Sequence, residues 1–139
     1  MMRRYGLIGR PLGHSASAVY FAEKFRKEGI TDCRYDLYEL PSIDALPELL
    51  RRTPDLCGLN VTIPYKREVV SLTDELSFEA SAVGAINCIR RTADGRLTGH
   101  NTDIIGLRAA LDELLGAEQP ERALVLGTGG ASQAVQYVL

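Results

Sequence analysis

The chain has 139 residues, 45% hydrophobic and 24% charged, proportions of an ordinary globular domain that exclude collagen-like, fibrous and low-complexity classes. Its 16 Lys and Arg against 18 Asp and Glu leave a net charge of -2 with no block of like charge, so a small molecule is expected as partner, not nucleic acid or an anionic membrane. No run approaches the ~20 apolar residues of a membrane helix, and the opening MMRRYGLIGR lacks the apolar stretch of a signal peptide, so a cytoplasmic protein is expected.

The apolar run Tyr5 to Gly9 predicts a first strand. The polar turn Arg10-Pro11-Leu12-Gly13-His14 follows, then a helix carrying Val19, Phe21, Ala22 and Phe25 and closed by Gly29. Cys33, Tyr35 and Leu37 alternate with polar neighbours through Glu39, the period of a half-buried strand. Pro41-Ser42 opens a second helix with Ile43, Leu46, Leu49 and Leu50, and Cys57 to Thr62 reads as a third strand ended by Pro64.

A short helix is expected over Tyr65 to Leu72 and a helical stretch over Glu75 to Ala82. Ala85 to Arg90 and Arg96 to Gly99 flank Ala93-Asp94-Gly95 and predict a hairpin. Thr102 to Gly116 is the longest helical pattern. After the break Gln119-Pro120-Glu121, Ala123 to Leu126 reads as a strand, followed by a glycine turn and about two turns of helix. Strands alternating with helices predict an α/β fold, a mostly parallel sheet flanked by helices with an antiparallel pair near its edge.

In open α/β sheets ligands bind beyond the carboxyl ends of the strands, which directs attention to the polar residues there. Ser15 and Ser17 sit beside a helix start, where free amides and the helix dipole favour an anion; capping by Ser17 is the competing reading. Asn60, Thr62 and Lys66 follow the third strand. A lysine partly desolvated in a cleft suits proton transfer, whereas an exposed surface lysine is the bland alternative. Asn87 offers a donor and an acceptor to a hydroxylated ligand, and Asp103 either joins such a site or caps the long helix. His100 reads as a surface residue. Cys33, Cys57 and Cys88 are far apart with no C-x-x-C pair, so neither a disulfide framework nor a metal site is expected.

Gly127-Thr128-Gly129-Gly130-Ala131 lies between the last expected strand and helix, the context in which glycines let a pyrophosphate approach backbone amides. This makes the chain's last part an incomplete Rossmann-type βα unit: the acidic or basic residue that would select NAD or NADP, some 20 residues further on, falls beyond Leu139.

G-R-P-L-G-H-S-A-S, G-L-N-V-T-I-P-Y-K, G-A-I-N, G-H-N-T-D-I-I-G and L-G-T-G-G-A-S, in this order and spacing, closely resemble the shikimate dehydrogenase family. The resemblance implies reduction of 3-dehydroshikimate to shikimate with NADPH, in the shikimate pathway of aromatic amino-acid biosynthesis. It implies a substrate-binding catalytic domain over 1–101, and a linking helix and the start of an NADP-binding domain over 102–139. Carried over residue by residue, Ser15 and Ser17 would bind the substrate carboxylate, and Asn60, Thr62, Asn87 and Asp103 would surround the ring hydroxyls. Lys66 and Asp103 would form the catalytic pair, and Gly127, Gly129, Gly130 and Ala131 would receive the dinucleotide. Ala18, Ala22, Cys88 and Gln133 depart from residues common at those places in the family. A homodimer is a candidate assembly. A chain of this length is expected to bind substrate without turning it over efficiently. The alternatives are a non-catalytic module for a hydroxylated cyclic carboxylic acid, a quinate-type dehydrogenase, and a generic nucleotide-binding scaffold, which would explain only the terminal glycine loop.

Overall fold

A computed structural model describes residues 2–116, 118 and 120–139. The elements run β1 (Arg3–Gly9), α1 (Ser17–Lys27), β2 (Cys33–Glu39), α2 (Leu46–Arg52), β3 (Leu56–Val61), β4 (Glu75–Leu76), α3 (Phe78–Val83), β5 (Cys88–Arg91), β6 (Leu97–His100), α4 (Asp103–Leu115) and α5 (Gly130–Val138). Short 3-10 turns at Ile43–Ala45 and Glu68–Leu72 precede α2 and β4. The six strands form one sheet in the order β2-β1-β3-β5-β6-β4. β1 pairs parallel with β2 and β3, and β4 parallel with β6, while β5 pairs antiparallel with both β3 and β6. Five strands therefore share one direction and β5 alone opposes them, the mostly parallel α/β sheet that the alternation predicts.

Burial explains the placement. The last four residues of β1 are buried, as a central strand covered on both faces requires. One face packs Ile8, Leu46, Leu56, Val69, Ile86 and Ile89 among the main core. The other is covered by α1, whose Ala18, Phe21 and Phe25 lie on Leu7, Leu12 and Tyr35. Gly29, at φ +66, closes α1 as expected, with the Ile30 amide donating to Phe25 O at 2.8 Å across the turn. A smaller cluster of Val83, Ala85, Ile104 and Ala134 joins α5 to α3 and α4.

Three expectations need correction. Ala123 to Leu126 is not a strand: no strand lies beside it among the described residues, and Leu124 and Leu126 are 84% and 87% exposed. Extended backbone becomes a strand only when a neighbour satisfies its amides. The helical stretch expected from Glu75 begins instead as β4, because Glu75 and Leu76 pair with Thr98 and Gly99 and the Asp74 carboxylate accepts the Leu97 amide at 2.7 Å. The helix starts three residues later at Phe78, where Ser77 caps it by accepting the Ala80 amide. Tyr65 to Leu72 forms turns and the 3-10 segment, not an α-helix. In the expected break at Gln119-Pro120-Glu121, Gln119 lies outside the described residues.

Candidate functional site

The sheet direction assembles the site. β1, β3 and β6 end on one edge, so Asn60 near the end of β3 and the segments after the three strands, carrying Ser15 and Ser17, then Thr62 and Lys66, then Asp103, come together there. Because β5 runs the other way, the residue that precedes it, Asn87, arrives at that same edge: its amide donates to His100 O at 3.0 Å, and its carbonyl accepts the Val61 amide at 2.8 Å. Without that reversal Asn87 and Asp103 would lie at opposite ends of the sheet.

Lys66 Nζ stands 2.6 Å from Asp103 Oδ2, with the side chains 16% and 32% exposed. The surface-lysine reading is thereby excluded. The other carboxylate oxygen, Oδ1, accepts Asn87 Nδ2 at 2.7 Å, and Asn87 is fixed in turn by Thr102, whose amide donates to Asn87 Oδ1 at 2.8 Å. Asp103 is free for these contacts because another residue caps α4: buried Asn101 accepts the Ile104 amide through Oδ1 and donates through Nδ2 to Ala85 O at 3.0 Å. Asp103 occupies the first turn of α4, where the helix dipole favours its negative charge.

Leu12 is buried and its amide donates to Glu39 Oε2 at 2.9 Å, which pins the loop between β1 and α1 to β2. Gly9 sits against the Thr62 side chain, and a methyl group there would clash with it, so glycine lets β1 and β3 deliver their loops side by side. Ser15 Oγ accepts the Ser17 amide at 3.2 Å, so the first amide of α1 is satisfied by Ser15. Ser17 begins the helix and does not cap it. Both serines are half-buried, and the first turn carries no acidic side chain, a setting favourable to an anion.

Asn60 and Thr62 are half-buried at the end of β3. Asn60 Oδ1 accepts the Tyr35 hydroxyl at 2.8 Å, and its Nδ2 has no protein partner among the described residues. Burial is the main reason the Tyr35 phenol is pushed up to about 12, helped by the nearby Cys88 and opposed by the neighbouring Ser17 side chain. Burial also pushes the Cys88 thiol up. Sequence reasoning missed Tyr35 and Thr102. The strand alternation marked Tyr35 as a packing residue, and the polar cluster Asn101-Thr102-Asp103 held the signal for Thr102 without showing which of the three capped the helix.

The glycine loop leads into α5 from Gly127, whose φ of +117 only glycine adopts readily. Beyond Gly129 a side chain would meet open space. Gly130 is different: a Cβ there would lie 2.8 Å from Lys66 Cβ and 3.6 Å from Ala85 Cβ. The open ground above Gly129, with Ala131 exposed in the first turn, fits the diphosphate of a dinucleotide, while Gly130 owes its size to Lys66.

Residues 7–89 match the family described as the shikimate dehydrogenase substrate binding domain. The NADP(+) shikimate dehydrogenase of Methanocaldococcus jannaschii is 37% identical over 140 residues, covering 96% of this chain and 47% of that protein. The one from Syntrophomonas wolfei is 44% identical over 136 residues, 96% of this chain and 46% of its own. A shikimate dehydrogenase solved in complex with NADP+ superimposes with a TM-score of 0.86 at 33% identity, over 99% of this chain and 47% of that one. The Thermus thermophilus enzyme solved with shikimate gives 0.84 at 35% identity, over 99% and 52%. The chain spans about half the length of the curated relatives it matches. It belongs to the family of shikimate dehydrogenase substrate-binding domains.

Proposed function

We propose that the chain holds shikimate and handles the proton in the NADP-linked interconversion of shikimate and 3-dehydroshikimate. The observation that carries this reading is the Lys66–Asp103 pair, 2.6 Å apart on the edge that also presents Ser15, Ser17, Asn60, Thr62 and Asn87. NADP, when bound, exchanges hydride with the carbon that bears the reacting oxygen. As that carbon becomes an alcohol its oxygen gains a proton, and Lys66 Nζ, oriented by Asp103, donates it; in the reverse direction the same pair receives it. Ser15 and Ser17 hold the carboxylate at the start of α1, and Asn60, Thr62, Asn87 and Asp103 fix the ring hydroxyls. Gly127, Gly129, Gly130 and Ala131 present the start of α5 to the cofactor diphosphate.

We further infer a division at 101/102, supported by all six strands lying within Arg3–His100. A cytoplasmic location is in keeping with a described structure in which no helix is long and apolar enough to cross a membrane. The outer edge of β2, unpaired among the described residues, supports a homodimer, which light scattering would reveal.

Isothermal titration of the chain with shikimate tests the central reading. Saturable one-to-one binding, weakened by Ser15→Ala, is expected; no binding at millimolar shikimate would overturn it.

A further inference from the structure

Tyr35 and Asn60 lie on strands that do not touch. Tyr35 on β2 pairs with Tyr5 of β1, and Asn60 on β3 pairs with Leu7, so β1 runs between them and the two residues are offset by two positions. Residues paired across strands or two apart along one point to the same face, which puts Tyr35, Leu7 and Asn60 together under α1. The phenol crosses Leu7 and ends with its hydroxyl 2.8 Å from Asn60 Oδ1. From the helix side Phe21 stacks on the ring at 4.3 Å between centroids and 13° between planes. Tyr35 is 9% exposed, so ring and hydroxyl have one place to be.

We propose that Tyr35 is a positioning residue for ligand recognition: by donating its hydroxyl to Asn60 Oδ1 it presents Asn60 Nδ2 to the site as a hydrogen-bond donor for a ligand oxygen. The inference rests on the shikimate-binding reading above and assigns the direction of one contact within it. A carboxamide has one acceptor end and one donor end, and a free Asn60 would offer either to a ring hydroxyl. A phenol that stays protonated donates to the carbonyl end, and the amide end then faces the ligand. Nothing else among the described residues engages that Nδ2. The site is thereby set to favour a ligand that presents a lone pair beside Asn60, and a deoxy analogue lacking that oxygen leaves a donor unpaired.

The test is a double-mutant cycle in the 139-residue chain, with shikimate affinity read by isothermal titration and folding by thermal unfolding. Tyr35→Phe keeps the stack on Phe21 and removes only the hydroxyl. We expect it to weaken binding about fivefold to twentyfold, the effect of one hydrogen bond. Asn60→Ala should weaken binding at least as much, and the double variant no further than Asn60→Ala alone, because Tyr35 acts through Asn60. A Tyr35→Phe chain that binds like wild type, or a double variant losing the product of the two single losses, overturns the proposal and leaves the binding reading standing. A wild-type chain that does not bind shikimate overturns the binding reading and the proposal with it. Should Tyr35→Phe fail to fold, the wild type decides by NMR: the Asn60 side-chain NH2 signals move when shikimate is added, and unmoved signals under saturation overturn the proposal.

Discussion

Gly130, the first residue of α5, lies flat against the stem of Lys66, with room for no side chain between them. The three glycines of the loop are therefore under different constraints, and alanine should sort them. Gly130→Ala must push α5 or Lys66 aside and is expected to destabilise the chain by about 1–3 kcal/mol. Gly127→Ala forces a Cβ into φ +117 and should cost about 1–2 kcal/mol. Gly129→Ala, extended and facing open space, should change stability by less than about 0.5 kcal/mol. Urea midpoints of the three variants check the order; equal losses at Gly129 and Gly130 would remove Lys66 as the reason for glycine at 130.

The pairing of Lys66 with Asp103 makes separate predictions for stability and chemistry. Asp103→Ala strands a mostly covered ammonium and the Asn87 Nδ2 donor, and should lower stability by about 2 kcal/mol. With a complete NADP-binding domain joined to the chain, Lys66→Ala should lower kcat by about a hundredfold or more while KM for shikimate changes far less, since proton transfer belongs to the transition state. Steady-state kinetics of NADP-dependent shikimate oxidation read both constants; an unchanged kcat would take Lys66 out of the chemistry.

Ser15→Ala should show two losses that different instruments see. The missing acceptor for the Ser17 amide should cost about 1 kcal/mol in denaturant unfolding. The missing hydroxyl should weaken shikimate binding by roughly 1–3 kcal/mol in calorimetry. A stability loss with affinity intact would reduce Ser15 to a helix-start residue.

Tyr35 predicts an alkaline limb. Burial holds its proton to about pH 12, while in the unfolded chain the phenol ionises near its ordinary 10.0. Between those values the native state binds more protons than the unfolded state, so this contribution is fully present below pH 10 and is lost as pH rises through about 12. Two pKa units correspond to about 3 kcal/mol at the upper end. Unfolding free energies of wild type and Tyr35→Phe, measured from neutral pH to the alkaline limit, should therefore converge as pH rises; parallel curves would show that the phenol titrates normally.

Much of this architecture is legible in the order of the residues. The apolar run at Tyr5 to Gly9, the helix closed by Gly29 and the Asp-Gly turn of the hairpin all follow from local chemistry. What escaped depended on partners distant in sequence. Glu75 and Leu76 have helical neighbours but pair with β6, a choice made by a ladder that local periodicity does not encode. Ala123 to Leu126 has the composition of a strand and, among the described residues, no strand beside it. In the site, local chemistry marks Lys66, Asn87 and Asp103 one by one and the family resemblance pairs Lys66 with Asp103, while the place of Asn87 beside them turns on the reversed direction of β5. Tyr35 was hidden because a strand residue that fills a core and one that aims a neighbour's amide have the same alternation.

The reversal of β5 also leaves a handle on the molecule. It sends the 92–96 turn, where the Thr92 amide donates to Arg96 O at 2.9 Å and Gly95 adopts φ +89, to the edge of the sheet opposite the one that carries Lys66. Ala93 and Asp94 are exposed there. A fluorophore, an immobilisation tag or an inserted peptide placed at those two positions reports on the chain, or tethers it to a surface, with the full depth of the sheet between the attachment and the bound ligand.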